Sequence, residues 1–393
     1  MKITGTCKSK IAAAALSSML VLGMASPALA ATTGGGKTDV PDTTATITEL
    51  QPGDTVSAWR IADAYIATDN QVKYDMASGL PKAYDTIEEI RAIENESETA
   101  KTAADAIRAA LANTKADVTG TAGENGQATL TLDSGYYLVT VTSTSGKTVM
   151  YQNVLVDASP EGNGTGYSAR AVSTNIKKSE LTAPDKKVIA GDNAAADSTD
   201  AASVGDTVKF QISGTIPNYP SNATHATYSV TDTPAKGLTI DVDSVVVSAA
   251  NNATLVKDAD YTITNENGKL VITFANPIKL ASQSYTITYS ATVSSVDNTD
   301  GTVGNNAHAT FNPNPYEEGT VSTGNDPVTV KTYGFVFKKV ASDTQQGLAG
   351  AEFQVKDKTT GEIVKDKITS DANGYVSLAG LKAGTYTLTE TKV

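Results

Sequence analysis

The stretch "GTYTLTETKV", residues 384–393, has the two-residue alternation of a β-strand and sets Tyr386, Leu388 and Glu390 on one face. A carboxylate on the apolar side of a strand is costly to bury, so Glu390 calls for a chemical reason. In "FVFKKV" the same parity groups Phe335 and Phe337 with Lys339, leaving Lys338 outward. Hydrolytic chemistry finds little material. The two histidines, His225 and His308, lie in no nucleophile elbow and no metal-binding spacing, and His308 alternates out of the inward set of its strand. Asp192, Asp197 and Asp200 lack the glycine and terminal glutamate of a calcium loop, which reads as a solvated segment. No enzyme, no cofactor and no metal is expected.

The elements that must position such groups are mostly strands. The chain has 393 residues, 31 glycines and 6% aromatics, a composition for several modest domains rather than one large core. A net charge of −12 argues against nucleic acid and against anionic membrane surfaces as partners. Lys2, Lys8 and Lys10, the apolar run Ile11 to Met24, Pro27 and the Ala28-Leu29-Ala30 site read as a signal peptide over residues 1–30. Its removal would take away Cys7, the one cysteine, so no disulfide can staple the secreted chain.

A Gly/Thr-rich linker is expected over residues 31–44, and a first domain over 45–178. In that domain Ile47, Leu50, Val56, Trp59 and Ile61 mark early strands, with Trp59 in the core. "DTIEEIRAIE" and "TAADAIRAALANT" form a helical insertion, and "SGYYLVTV" and "YQNVLVD" return to strands. Residues 179–330 are nearly pure β. "DTVKFQI", "KLVITF" and "SYTITYSATV" alternate cleanly between turn signals, the pattern of an immunoglobulin-like sandwich. A third all-β domain covers 331–393. The fold class is therefore mostly β: tandem immunoglobulin-like sandwiches, the first with a helical insertion.

"FVFKKVASDTQQGLAGAEFQV" followed by "SDANGYVSLAGLKAGTYTLTET" resembles the SpaA-type, collagen-adhesin B-like domain of Gram-positive surface proteins, with Ala341 where that pattern has Asp. "APDKKV", "VGDTVKFQISGTIPNY", "YSVTDTPAKGLTI", "SYTITYSATV" and "GNNAHATFNPNP" stand in the order of the isopeptide-forming middle domain of fimbrial shaft proteins. The whole is similar to a major pilin, the repeating subunit of a sortase-assembled pilus. The same modules also occur in tip or basal pilins and in monomeric wall-anchored adhesins, which is the alternative.

The resemblance implies specific roles. In such domains a lysine attacks a side-chain amide on the last strand, an acid shuttles the proton, and ammonia leaves. Burial favours the neutral amine and the neutral acid that this requires. In the middle domain Lys186 is the nucleophile, chosen over Lys187 because it shares parity with Val188. Asp232 matches the acid, and Asn305, in phase with Ala307, Ala309 and Phe311, is the electrophile in preference to Asn306. In the third domain Lys339 and Glu390 are the nucleophile and acid. The family's pattern continues past Glu390 with A-P-x-G-Y, an electrophile-bearing closing strand, an LPXTG sorting signal, a membrane segment and a basic tail. These are not in the sequence, so truncation of the third domain is expected.

In the first domain Val141 falls where Glu390 would, and no internal bond is expected. The pilin motif W-x-x-x-V-x-V-Y-P-K aligns with Val172, Thr174 and Asn175, with Ile176 for the proline and Lys177 for the lysine. Lys177 or Lys178 is expected to accept the next subunit. The implied partners are a sortase, further copies of the chain, minor pilins and host-surface ligands. The implied location is the cell surface after secretion.

Overall fold

The computed structural model describes residues 31–393 apart from 34–36, 41, 95–96, 145–146, 164–165, 190–198, 251–252 and 297–300. The expected signal peptide and two of the loop aspartates, Asp192 and Asp197, lie outside the described residues. The fold is mostly β with a small helical insertion. The chain divides into two compact units. The first comprises residues up to Asn95 with Lys115–Thr140 and Asn153–Ile176; the second comprises Glu96–Thr114, Val141–Gln152 and Lys177–Val393.

In the first unit Thr43–Thr48 pairs antiparallel with Ala128–Leu132 and parallel with Val172–Asn175. The long strand Thr55–Ile66 buries Val56, Trp59 and Ile61, and its inward positions include adjacent pairs, Ala58 with Trp59 and Ile61 with Ala62. One departure is the expected linker. Ala31–Thr33 pairs antiparallel with Lys37–Asp39, as β-branched threonines favour extended backbone. The helix Ile87–Arg91 starts at a capping box, in which the Thr86 hydroxyl accepts from the Glu89 amide and the Glu89 carboxylate from the Thr86 amide.

The second helix, Glu98–Ala110, groups with the second unit. Ala103, Ala104 and Ile107 are buried, and the covered Arg108 guanidinium donates to Glu317 Oε1 at 2.6 Å. An ion pair 209 residues apart in sequence thus ties the insertion to the loop that follows strand Thr302–Phe311.

The core of the second unit is a sandwich. One sheet runs, in spatial order, Asp185–Ile189, Thr207–Thr215, Ser284–Val293, Leu238–Ala249. The other runs Thr199–Ala201, Asp326–Lys331, Thr302–Phe311, Tyr228–Pro234, Lys269–Phe274, Tyr261–Glu266. Strict alternation puts Val208, Phe210 and Ile212 inward from one sheet and Val303, Asn305, Ala307, Ala309 and Phe311 inward from the other. Tyr285, Ile287, Tyr289, Ala291 and Val293 complete the inner face of the central strand. Backbone contact is close where that strand's partner turns in. Gly237 has φ +98°, and an added Cβ there would collide with the Ser295 carbonyl oxygen.

The third domain has two small sheets. Tyr333–Lys338 pairs with Tyr375–Leu381, and Glu352–Asp357 lies between Ile363–Thr369 and Tyr386–Lys392. Its small core cluster is Ala351, Phe353, Val355, Ile368 and Val376, with Phe335, Phe337, Leu378 and Tyr386 packed against them.

The sandwich depends on its central strand, where Ile287 is fully buried between Ile212 and Val247. Ile287→Ala should destabilise the second unit by about 2–5 kcal/mol, read as an earlier urea midpoint. An unchanged midpoint would show that the inner face of this strand does not carry the core.

Candidate functional site: a buried lysine, aspartate and asparagine between two sheets

Four strands each contribute one polar side chain to a cluster in the sandwich interior. Lys186 is opposite Ile212 in the edge strand of the first sheet, and Tyr289 is opposite Phe210 two strands in. From the facing sheet come Asp232, opposite Ala307, and Asn305, opposite Pro234. Asp232 and Asn305 are therefore diagonal neighbours on adjacent strands, on the face that meets Lys186 and Tyr289.

The side chains of Lys186 and Asp232 have no solvent exposure, and Asn305 is 1% exposed. Lys186 Nζ donates to Asp232 Oδ2 and, at 2.7 Å, to the Tyr289 hydroxyl. That hydroxyl donates to Asp232 Oδ2 at 2.5 Å and accepts from Asn305 Nδ2 at 2.8 Å. The ammonium nitrogen stands 5.1 Å from the Phe210 ring centre, and the Phe210 and Tyr289 rings stack at 5.4 Å. Outside this cluster the Lys186 backbone amide donates to Asp326 Oδ2 at 2.6 Å, pinning the first strand to Asp326–Lys331.

Charge is poorly tolerated here. Burial pushes the Lys186 amine down from its ordinary range, against the pull of Asp232, and pushes the Asp232 carboxyl up, against the pull of Lys186. Burial and the neighbouring carboxylate hold the Tyr289 phenol well above its usual value. Both shifts favour moving the proton from nitrogen to carboxylate, which gives a free amine beside a neutral acid. Two buried oxygens, Asp232 Oδ1 and Asn305 Oδ1, have no hydrogen-bond partner. Protonating Asp232 supplies the donor that this pair of acceptors lacks. The arrangement holds an amine, a proton carrier and an amide carbonyl in one dry space.

One expectation is corrected. The strand carrying Asn305 is not the last of its domain. It lies inside the sheet, between Tyr228–Pro234 and Asp326–Lys331, because the chain turns back after Phe311 to add a further strand.

In the third domain Lys339 Nζ donates to Glu390 Oε2 at 2.9 Å, and Lys338 instead lies over the Tyr375 ring. Glu390 stands opposite the buried Phe353, on the apolar face that the alternation predicts. It is not enclosed there. The Lys339 and Glu390 side chains are 24% and 29% exposed, since the small core below them leaves this end of the face open. Lys177 lies between Val172–Asn175 and Lys178–Glu180, and Lys178 pairs with Tyr151; both lysines are exposed. Neither approaches the buried cluster. His225 is exposed and His308 half-buried, and among the described residues no group of His, Cys, Asp or Glu could hold a metal.

Tyr289 was not singled out in the sequence, although a signal existed. A tyrosine on the inner face of a central strand must find a partner for its hydroxyl, and only a buried polar group can supply one.

Two family models match. Gram-positive pilin backbone subunit 2, a Cna-B-like domain, matches residues 204–315, and the SpaA prealbumin-like fold domain matches residues 334–393. The chain is 26% identical over 384 residues to the trypsin-resistant surface T6 protein of Streptococcus pyogenes serotype M6, covering 88% of this chain and 68% of that one. The solved T6 backbone pilin of that serotype superposes with a TM-score of 0.68 at 22% identity, over 90% of this chain and 77% of that one. The full-length major pilin SpaD of Corynebacterium diphtheriae gives 0.55 at 19% identity, over 90% and 87%. Fold and domains define a tandem β-sandwich surface protein of the pilin class. The chain is similar to backbone pilins of Gram-positive bacteria, and those relatives are structural pilus subunits.

The buried cluster has a consequence for stability. In Lys186→Met, Asp232 loses its cation and stays protonated in the folded chain. Its folded pKa then lies above the unfolded value near 3.8, so folding takes up a proton. Stability should fall as pH rises above the ordinary aspartate range, at up to about 1.4 kcal/mol per pH unit. Urea midpoints at successive pH values, compared with Lys186→Met/Asp232→Asn, would read this. Parallel curves for the two variants would contradict it.

Proposed function

We propose that this chain is the shaft subunit of a covalently polymerised cell-surface pilus and that its middle domain cross-links itself. Lys186 is the nucleophile, Asp232 the proton-carrying acid and Asn305 the electrophile. The observation that carries the reading is the dry contact of Lys186 with Asp232 beside the Asn305 amide. A neutral amine attacks the Asn305 carbonyl carbon, the neutral acid polarises the carbonyl oxygen, and ammonia leaves. The reaction turns over once, so the protein acts as a structural element and not as an enzyme. The product removes two ionisable groups from the core. It also closes a loop of about 120 residues, worth roughly 5 kcal/mol in the chain-entropy model.

Lys339 and Glu390 are the corresponding nucleophile and acid of the third domain, held as an ion pair at 2.9 Å. A sortase would join subunits through a lysine at the junction after the first domain, Lys177 or Lys178. Exposure of both supports this, because an acceptor amine must reach an enzyme-bound acyl group. Minor pilins and host-surface ligands are the remaining partners, and residues 1–30 would direct secretion.

Two measurements separate the parts of this reading. The intact protein should weigh one ammonia less than its unmodified sequence, and Asp232→Ala should restore that mass. In cells that assemble the pilus, replacing Lys177 and Lys178 together by Ala should abolish the high-mass ladder of cell-wall extracts. The monomer should still fold and still lose ammonia. An unmodified wild-type mass would refute the internal bond. A ladder surviving the double change would refute the junction lysines and favour another acceptor, and a single cell-wall species from the wild type would favour a wall-anchored adhesin.

A further inference from the structure

Tyr289 is the one side chain that touches all three reacting groups. Its hydroxyl accepts from Lys186 Nζ, donates to Asp232 Oδ2 and accepts from Asn305 Nδ2. Nδ2 is the nitrogen that departs. Lys186 reaches Asp232 directly, so the first proton transfer needs no intermediary. The departing nitrogen is placed differently: it donates to the Tyr289 hydroxyl at 2.8 Å, and that hydroxyl in turn donates to Asp232 Oδ2. We propose that Tyr289 is a catalytic residue of the cross-linking step, the proton bridge that carries Asp232's proton to the leaving nitrogen. The inference rests on the self-cross-linking reading of the site.

The step balances. Lys186 starts as an ammonium with three protons, Asp232 as a carboxylate, and the Asn305 amide nitrogen with two. One ammonium proton passes to Asp232 Oδ2, and the free amine attacks Asn305 Cγ to form the new C–N bond. As the tetrahedral intermediate collapses, the phenol gives its proton to Nδ2 and regains one from Asp232. The old C–N bond breaks and NH3 departs. The attacking nitrogen then returns one proton to Asp232. One lysine proton remains on the new amide, one ends on Asp232, and one leaves in the ammonia. Tyr289 is unchanged.

The ring alone cannot serve. Its stack on Phe210 accounts for its position, but it is the hydroxyl that bridges Asp232 Oδ2 and Nδ2. A phenol held well above its usual pKa by burial stays protonated and is able to pass a proton without resting as phenolate.

The test follows bond formation in the full-length chain after expression and refolding, by intact mass and by released ammonium. Tyr289→Phe keeps the ring and removes the hydroxyl. It should fold and cross-link about a hundredfold or more slowly than wild type, within the usual range for a general acid or base. Phe210→Leu removes the stacking partner and leaves the hydroxyl, and should cross-link within a few-fold of the wild-type rate. A Tyr289→Phe chain that is folded and cross-links at the wild-type rate overturns the proposal. Equal slowing in both variants does so too, since packing would then be the cause. If Tyr289→Phe does not fold, 3,5-difluorotyrosine placed at residue 289 takes its place. It retains ring and hydroxyl with a more acidic phenol, so the rate should change, and an unchanged rate overturns the proposal. A wild-type chain that never loses ammonia refutes the underlying reading instead.

Discussion

A lysine ammonium and an aspartate carboxylate held together without water between two β-sheets set the terms for this molecule. Such a pair is a weak source of stability, because the cost of desolvating two ions rivals their attraction. Removing the charges removes that cost. In the proposed reaction, with Lys186 against Asp232 and the Asn305 amide alongside, proton transfer and then condensation is the route by which the core would become neutral. The surrounding sandwich supplies the confinement. Phe210 and Tyr289 wall the amine, and the alternation of Thr302–Phe311 holds Asn305 inward among Val303, Ala307 and Ala309.

The mechanical sense of the arrangement follows from which sheet each group belongs to. Lys186 is in the first strand of one sheet and Asn305 in an interior strand of the other. A covalent bond between them takes every strand from Thr207 to Val293 out of the path of a pulling force. The segment left under load runs from Asn305 through Asp326–Lys331, and Asp326 is itself hydrogen-bonded to the Lys186 amide. Residues 31–393 contain no cysteine, so in the proposed role that bond would give this chain what a disulfide gives extracellular domains.

Parity made much of this legible in the sequence. A two-residue period separates Lys186 from Lys187, Asn305 from Asn306 and Lys339 from Lys338; Lys186 and Asn305 lie on the buried faces of their strands, and Lys339, one residue past Tyr333–Lys338, reaches Glu390. Relations between strands distant in sequence were not legible. The hydroxyl of Tyr289 meets Lys186 only through the register of Thr207–Thr215 with Ser284–Val293. Arg108 meets Glu317 only because the helical insertion groups with the second unit. The exposure of Lys339 and Glu390 was equally hidden, since alternation tells which face a residue takes and not how much core lies beneath it.

The central claim is a covalent bond between two named side chains, and tandem mass spectrometry of a tryptic digest of the folded protein addresses it most directly. The account predicts a branched peptide in which Lys186 is joined to Asn305 with loss of one ammonia, and no cleavage after Lys186. Recovery of the two segments as separate linear peptides, with Lys186 cleaved and Asn305 intact, would contradict it.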